Sequence, residues 1–480
     1  MPSDLETIFH PRSVAVVGIS PPERVERGFG TAAIGFLLGL LEMGFPTIYP
    51  VNPKYEEVAG LRCYPSLLDI EGPVDHVISS VPAHVVPQLV EHCIAKGVRS
   101  IHFFTAGFRE TGEEDRAALE EAVVRRAKEA GIRIFGPNCM GLYVPKARLS
   151  FSPHFPKEPG PVAFISQSGG HAMDMVISGA VRGLRFSKVV SYGNASDVDE
   201  SELLEYLATD VDSEIVCAYI EGVKDGRRFF SALKKVGAAK PTIVLKGGRT
   251  GAGSRATLSH TASLAGSLAV FDAALKQAGA IRVNTVEELV DVAIAFRFMK
   301  VPEGPRVAVV GPGGGMSVMA ADELAEASLE LPELPPHTQE ELRRFTPVAG
   351  TSVRNPVDTV TIWDTKALED TMRIVGSAEN VDSVLLHMGF AFTPPPQAQQ
   401  PLEPPVPPDA WAEAIARARQ ECGKPMAVVI RWRYAPEILQ MALALTEECW
   451  QRGIAVYFSL SSAVQAMAKV VAWRRMREEW

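Results

Sequence analysis

The stretch 242-TIVLKGGRTGAGSRATLSHTASLAG-266 decides how this chain is read. It opens as an apolar β-strand, passes through a loop of Gly, Ser and Arg, and meets one histidine, His260, where an Ala-rich helix is expected. An imidazole can carry a phosphoryl group, and the first N–H groups of a helix have no internal partners. The order strand, loop, histidine, helix therefore places a carrier beside free donors. On this reading His260 is a transient phosphate carrier, and the rest of the chain has to supply the donor and the acceptor of the phosphate.

The surroundings suit that chemistry. With 480 residues, 46% of them hydrophobic and 22% charged, the chain is a multidomain globular protein able to bury several cores. A net charge of -9 argues against non-specific nucleic-acid binding, yet a local Gly-rich nest can still hold an anion. No apolar run is long enough to span a membrane, and the opening MPSDLETIFHP has neither the basic segment nor the apolar core of a secretory signal. Six cysteines at 63, 93, 139, 217, 422 and 449 form no CxxC, which reads as a set of cytosolic thiols with no disulfide framework and no metal site. The expected location is cytoplasmic.

The strand–glycine–helix pattern recurs three times. SVAVVGIS (13–20) runs into a Pro/Gly loop and the helix-like TAAIGFLLGLLEMG (31–44), followed by the strand TIYPVN (47–52). Strands at 75–83 and 100–108 flank a helix at 87–97, and a helix at 113–131 leads to IRIFGPNCMGLYVP (132–145). After the Pro-rich joint 153–161, VAFISQSGG (162–170) repeats the pattern, with further strands at 214–222, ending in Glu221, and at 241–248. Beyond the hinge 301–305, RVAVVGPGGGMSVMAADELAEA (306–327) is the third repeat, with strands at 381–390, 424–432 and 453–459. Such units build doubly wound parallel sheets, whose ligands bind beyond the carboxyl ends of the strands. The fold class is α/β. Gly18, Gly28 and Gly30 do not make GxGxxG and no acidic residue closes the second strand, so a nicotinamide dinucleotide is disfavoured. The acidic run 196-SDVDES-201 lacks the spacing of a calcium loop and reads as a helix start capped near Asp199. The Pro-rich insert 393–410 is expected to be an extended loop, PGGG (312–315) either an anion turn or an interface turn, and Cys139 a buried small residue.

Several motifs together resemble a family. Val14–Gly18 with Ser20, YPVNPKYEEVAGLRCYPSL (49–67), VPA (81–83), TAGF (105–108) and GPNCMG (136–141) are similar to the CoA-binding domain of nucleoside-diphosphate-forming acyl-CoA synthetases. The order Glu221, KGG, SHTASLAG resembles the catalytic domain of the same family, and NPVD (355–358) recurs in its third domain. The resemblance implies a Rossmann-like CoA-binding domain over 1–150, then two flavodoxin-like succinyl-CoA-synthetase-type domains, the phosphohistidine-bearing one over 151–298 and a third over 303–480. It implies CoA contacts from Gly18, Ser20, Asn52, Lys54, Val81, Pro82 and Asn138. It also implies phosphate nests from Ser166, Gln167, Ser168, Gly169 and Gly170 and from Ser259, Thr261 and Ala262. The catalytic pair carried over is His260 with Glu221, a carboxylate that fixes the imidazole tautomer and stabilises its developing charge. Lys246 and Arg255 are close enough in sequence to assist the phosphate or to be solvated charges.

The implied reaction is acyl-CoA + ADP + phosphate ⇌ carboxylic acid + ATP + CoA through a phosphohistidine. No Walker A motif is present and no ATP-grasp module fits after the third domain. The resemblance therefore implies a separate ATP-grasp β subunit that brings ATP/ADP and Mg2+, in an α2β2 assembly acting on a small carboxylic acid. SHTAS at 259–263 departs from the commoner histidine-Thr-Gly-Ala order, which keeps open a non-catalytic CoA- or acyl-CoA-binding regulatory or scaffold protein.

Overall fold

Short runs of Val, Ile and Ala, each closed by glycine or a small polar residue, form strands too apolar to leave either face in water. The computed structural model describes residues 4–21, 29–255, 267–390, 407–432 and 436–478, and its strands fall where those runs lie. Two compact units result, one of residues 1–180 with 185–286, the other of 181–184 with 287–480.

The first unit holds two sheets. One is built from β1 (Val14–Val17), β2 (Ile48–Val51), β5 (His76–Ser79), β6 (Ser100–Phe103) and β7 (Arg133–Phe135), in the order β2-β1-β5-β6-β7 and parallel throughout. A small hairpin of β3 (Glu57–Val58) and β4 (Leu61–Arg62) follows β2. The other sheet contains β8 (Gly141–Tyr143), β9 (Val162–Ser166), β10 (Phe186–Ser191), β11 (Ile215–Ile220), β12 (Thr242–Lys246) and β13 (Ile281–Val283). Its order is β13-β12-β11-β9-β10-β8, parallel except that β8 runs antiparallel to β10. The second unit has one parallel sheet, β15-β14-β16-β17-β18, made of β14 (Val307–Gly311), β15 (Val357–Asp358), β16 (Ser383–Phe390), β17 (Met426–Trp432) and β18 (Ala455–Tyr457). Strands β1, β9, β12 and β14 are buried along their whole length, as central parallel strands covered on both faces must be.

Counting only its parallel strands in chain order, each sheet has the order 2-1-3-4-5. The connection reverses direction between the first and third strands, and that reversal opens a crevice at their carboxyl ends. Three such switch points exist: β1 against β5, β9 against β11, and β14 against β16.

The first two sheets are tied by polar contacts. The Arg133 guanidinium donates to Asp197 and Glu202, and the Ile134 N–H donates to Asp197 at 2.8 Å. Glu120, buried on the helix Glu114–Glu129, accepts from Asn194 at 3.2 Å and from Ser196 at 2.5 Å. Asp199 caps the helix Glu200–Leu207 by accepting the Glu202 N–H at 2.9 Å, so the acidic run at 196–201 serves a helix start and a tie between sheets.

One expectation changes. Pro408–Ala410 are the first turn of the helix Pro408–Cys422 and no part of an extended loop; the rest of the Pro-rich insert, 393–406, lies outside the described residues. A proline in a first helical turn loses no intrahelical bond, which is why the proline run can end inside the helix. NPVD acts within its own sheet. The Asn355 side chain accepts from Val309 N–H at 2.9 Å and donates to the carbonyls of Val307 and Pro332, and the Asp358 carboxylate accepts the Gly313 N–H at 2.7 Å. The PGGG turn thus has an acceptor from the same sheet on one of its donors.

Candidate functional site

At the second switch point, β9 feeds Ser166-Gln167-Ser168 into the helix Gly169–Val181. Ser168 caps that helix: its carbonyl accepts the Ala172 N–H at 3.1 Å and its hydroxyl the His171 N–H at 3.3 Å. Of the first four helical N–H groups this leaves those of Gly169 and Gly170 without an intrahelical acceptor. A Cβ on Gly169 would lie 2.7 Å from Cγ of Met140, so any larger residue there has to displace that side chain. The Ser166 hydroxyl is turned inward, donating to the Ser168 carbonyl at 2.7 Å.

Glu221 follows β11, directly across the switch point, and is only 5% exposed. Its N–H and that of Gly222 both donate to Oε1 of Gln167, the latter at 3.0 Å. Two N–H donors on one atom identify that atom as the amide oxygen. The Tyr219 hydroxyl donates to the Glu221 carboxylate at 3.1 Å. Tyr219 and Glu221 are two residues apart on extended chain and so face the same way.

Lys246 is not a solvated charge. At 4% exposure, its ammonium donates to the carbonyls of Glu221, at 2.6 Å, and Gly247. Burial lowers its pKa and the nearby Glu221 charge works against that shift. It ties the ends of β11 and β12 together, since a buried ammonium needs acceptors and two strand-end carbonyls provide them. Arg255 is exposed. His260, Ser259, Thr261 and Ala262 lie outside the described residues.

At the first switch point, Gly18 has φ +88° and would place a Cβ 3.0 Å from the backbone of Ser80 and Val81, so the turn after β1 lies tight against the loop after β5. Asn52 braces the neighbouring loop, donating to the Ile19 carbonyl at 2.6 Å and accepting the Lys54 N–H at 3.0 Å. The Lys54 and Pro82 side chains are exposed, while Ser20 and Val81 are half-buried. The Thr105 hydroxyl donates to the Val81 carbonyl at 2.8 Å, and its own carbonyl accepts the Asn138 N–H at 3.0 Å, which links Asn138 to the others. The Gly136–Asn138 loop in turn meets the second sheet: the Asn194 N–H donates to the Pro137 carbonyl at 3.0 Å. A Cβ on Gly193 would collide with the carbonyls of Pro137 and Asn138. The two crevices are therefore joined through backbone. Cys139 is buried and desolvation pushes its thiol pKa up, as its bland reading required.

Comparison with known proteins fits this geometry. A CoA binding domain is matched at residues 12–145, a succinyl-CoA ligase like flavodoxin domain at 159–296, and a ligase-CoA domain at 307–422. The chain is 38% identical over 437 residues to the acetate–CoA ligase (ADP-forming) II subunit alpha of Pyrococcus furiosus, covering 90% of this chain and 91% of that one. This chain belongs to the ADP-forming acyl-CoA synthetase α-subunit family. A second Pyrococcus furiosus protein, acetate–CoA ligase (ADP-forming) I subunit alpha, is 34% identical and 98% of each chain is covered. Against the acetate–CoA ligase (ADP-forming) I of Archaeoglobus fulgidus, 39% identical, the match spans 79% of this chain and 54% of that longer one. Among solved structures, the Ca. Korarchaeum cryptofilum dinucleotide forming acetyl-coenzyme A synthetase 1 in complex with phosphate and ADP superimposes with a TM-score of 0.82 at 33% identity, covering 99% of this chain and 98% of that one.

In this family member the structure gathers Glu221 with Ser166–Gly170, and Gly18, Ser20, Asn52, Lys54, Val81 and Pro82 along three adjacent strand ends. Sequence reasoning missed Tyr219, although its i,i+2 spacing to Glu221 on a strand was visible. It also missed Asn194 and Lys224, whose ammonium donates to the carbonyls of Asn194 at 3.0 Å and Ala195 at 2.7 Å; only the YGN turn after β10 hinted at them. No helix among the described residues is long and apolar enough to cross a membrane.

Proposed function

We propose that this chain is the α subunit of an ADP-forming acyl-CoA synthetase, interconverting acyl-CoA, ADP and phosphate with a carboxylic acid, ATP and CoA. The observation that carries the reading is Glu221, a buried carboxylate fixed across a switch point from a helix start with donors to spare, in a chain that matches α subunits almost from end to end.

His260 is the carrier in this reading. One imidazole nitrogen takes the phosphoryl group from an acyl phosphate: the N–P bond forms, the P–O bond to the acyl group breaks, and the electron pair leaves with the carboxylate. Glu221 accepts a hydrogen bond from the N–H on the other side of the ring, which holds the attacking nitrogen neutral and stabilises the positive charge that develops. Gly169 and Gly170 N–H groups offer the anion donors at a helix N-terminus, where the backbone dipole adds to them. Phosphoryl return to ADP breaks the N–P bond and forms a P–O bond on the terminal phosphate.

The first switch point fits coenzyme A by its donor set: the exposed Lys54 ammonium and the half-buried Ser20 hydroxyl suit phosphate groups. Coenzyme A supplies there the thiol that accepts or releases the acyl group. Among the described residues no cluster of His, Cys, Asp and Glu is suited to a metal, and the reading assigns ATP/ADP and Mg2+ to an ATP-grasp β subunit in an α2β2 assembly. The cytoplasm is the compartment that goes with six free, buried cysteines.

The test is incubation of the chain, co-purified with its partner, with ATP labelled on the γ-phosphate. Wild type should take up acid-labile label, and His260→Ala should take up none. Label retained by His260→Ala sinks the relay.

A further inference from the structure

Glu221 is held more firmly than a strand-end carboxylate needs to be. Its peptide is gripped on both sides: its N–H and the next one meet the Gln167 amide oxygen, and its carbonyl takes the Lys246 ammonium. That grip fixes the backbone. Tyr219 acts on the side chain itself. Its hydroxyl donates to the carboxylate at 3.1 Å, and its ring is held edge-on by the His171 ring, with centroids 4.4 Å apart at 82°.

The glycine after Lys246 is shaped to the same pair. A Cβ on Gly247 would lie 2.6 Å from the Tyr219 hydroxyl oxygen and 3.1 Å from Cγ of Glu221. The first glycine of KGG therefore leaves the space in which hydroxyl and carboxylate meet. Burial, followed by the charge of Glu221, pushes the Tyr219 phenol well above its ordinary pKa, so it remains a donor.

We infer that Tyr219 is a positioning residue, whose hydroxyl fixes the carboxylate of Glu221 in the orientation that receives the imidazole of the phosphate carrier. The inference rests on the reading that Glu221 serves His260. A carboxylate has about four acceptor positions, so the bond to tyrosine occupies one of them and removes rotational freedom from the rest. The hydroxyl is a donor only and exchanges no proton with the carboxylate. Its contribution is orientation, and a misaimed partner carboxylate slows phosphoryl transfer without weakening ground-state binding.

The experiment uses the chain with its partner subunit, single-turnover labelling from ATP labelled on the γ-phosphate, and steady-state kinetics with acetate and CoA. Tyr219→Phe should slow labelling about tenfold, equivalent to about 1.4 kcal/mol in the barrier. KM for acetate and for CoA should stay within about twofold, the pattern of an interaction felt in the transition state. Gly247→Ala should reproduce the slow labelling by separating the two side chains. In a Glu221→Asp background, where the charge is kept but drawn back from the hydroxyl, Tyr219→Phe should have no further effect. Wild-type labelling rates in Tyr219→Phe or Gly247→Ala overturn the inference, as does an equal tenfold loss in the Glu221→Asp background. Those failures leave the relay intact, because the relay itself stands or falls on His260→Ala.

Discussion

Replacing Gln167 with leucine keeps nearly the same volume at the second switch point and deletes one atom that matters, the amide oxygen. That oxygen accepts two N–H groups, those of Glu221 and Gly222, and the region is closed to solvent: Gln167 is 6% exposed and Glu221 5%. Each buried donor left without an acceptor costs about 1–3 kcal/mol. With two donors, partial relaxation of the turn places the expected loss at roughly 3 kcal/mol. Denaturant unfolding measures it, and the distribution of tryptophan helps. All six tryptophans, from Trp363 to Trp480, belong to the second unit, so their fluorescence follows that unit while far-UV circular dichroism follows both. Gln167→Leu should lower the midpoint of the dichroism component that the tryptophans do not report, with its slope unchanged, because the surface exposed on unfolding is the same. Labelling of His260 should slow as well, since the Glu221 peptide is no longer tied across the switch point. A stability change below about 0.5 kcal/mol, the scale of an ordinary surface substitution, refutes the reasoning that this amide is a bridge between β9 and β11.

Two further substitutions probe other points. Glu200 is 2% exposed and burial raises its carboxyl pKa from 4.5 to about 7. The unfolded chain loses this proton first, so stability should fall as pH rises from about 4.5 to about 7 and then level off. Glu200→Gln should remove that slope and gain up to roughly 3 kcal/mol at pH 8, read from denaturant midpoints across the range. Gly18→Ala forces a left-handed φ on a residue with a Cβ and presses it on Ser80 and Val81. It should lower stability by roughly 2 kcal/mol and weaken CoA binding in a calorimetric titration, whereas undiminished affinity would remove Gly18 from the binding loop.

The sequence made the sheets and the strand ends legible because both are local. Period, glycine and flanking polarity are written within ten residues, and Glu221 could be placed at a strand end without knowing its neighbours. Asp199 was equally readable, since a capping residue with Glu202 three positions on is a local signature. What was hidden depends on which strands become neighbours. Lys246 reads as a solvated charge until β11 lies beside β12 and presents two carbonyls to it. Gln167 reads as part of a phosphate nest, and only the pairing of β9 with β11 shows that its oxygen also takes two N–H groups. Strand β8 was hidden for the same reason: GLY at 141–143 has no period of its own, and becomes a strand only because the edge of β10 is open to it.

The three repeats share one strand order, but their switch points are finished differently, and the difference says what each can do. In the first, glycine at Gly18 lets two loops close on each other, while the exposed Lys54 and half-buried Ser20 offer donors. In the third, the Asp358 carboxylate takes the Gly313 N–H, so the sheet itself supplies an anionic acceptor to that turn. In the second, the helix start offers the N–H groups of Gly169 and Gly170, and across the switch point stands a carboxylate whose peptide is tied to Gln167 and whose side chain accepts from Tyr219. A carboxylate opposite a helix start can serve a cation there while the helix donors serve an anion. On the proposed reading, an imidazole that becomes cationic as it takes up a phosphoryl anion is a ligand that needs both, and the middle repeat supplies both.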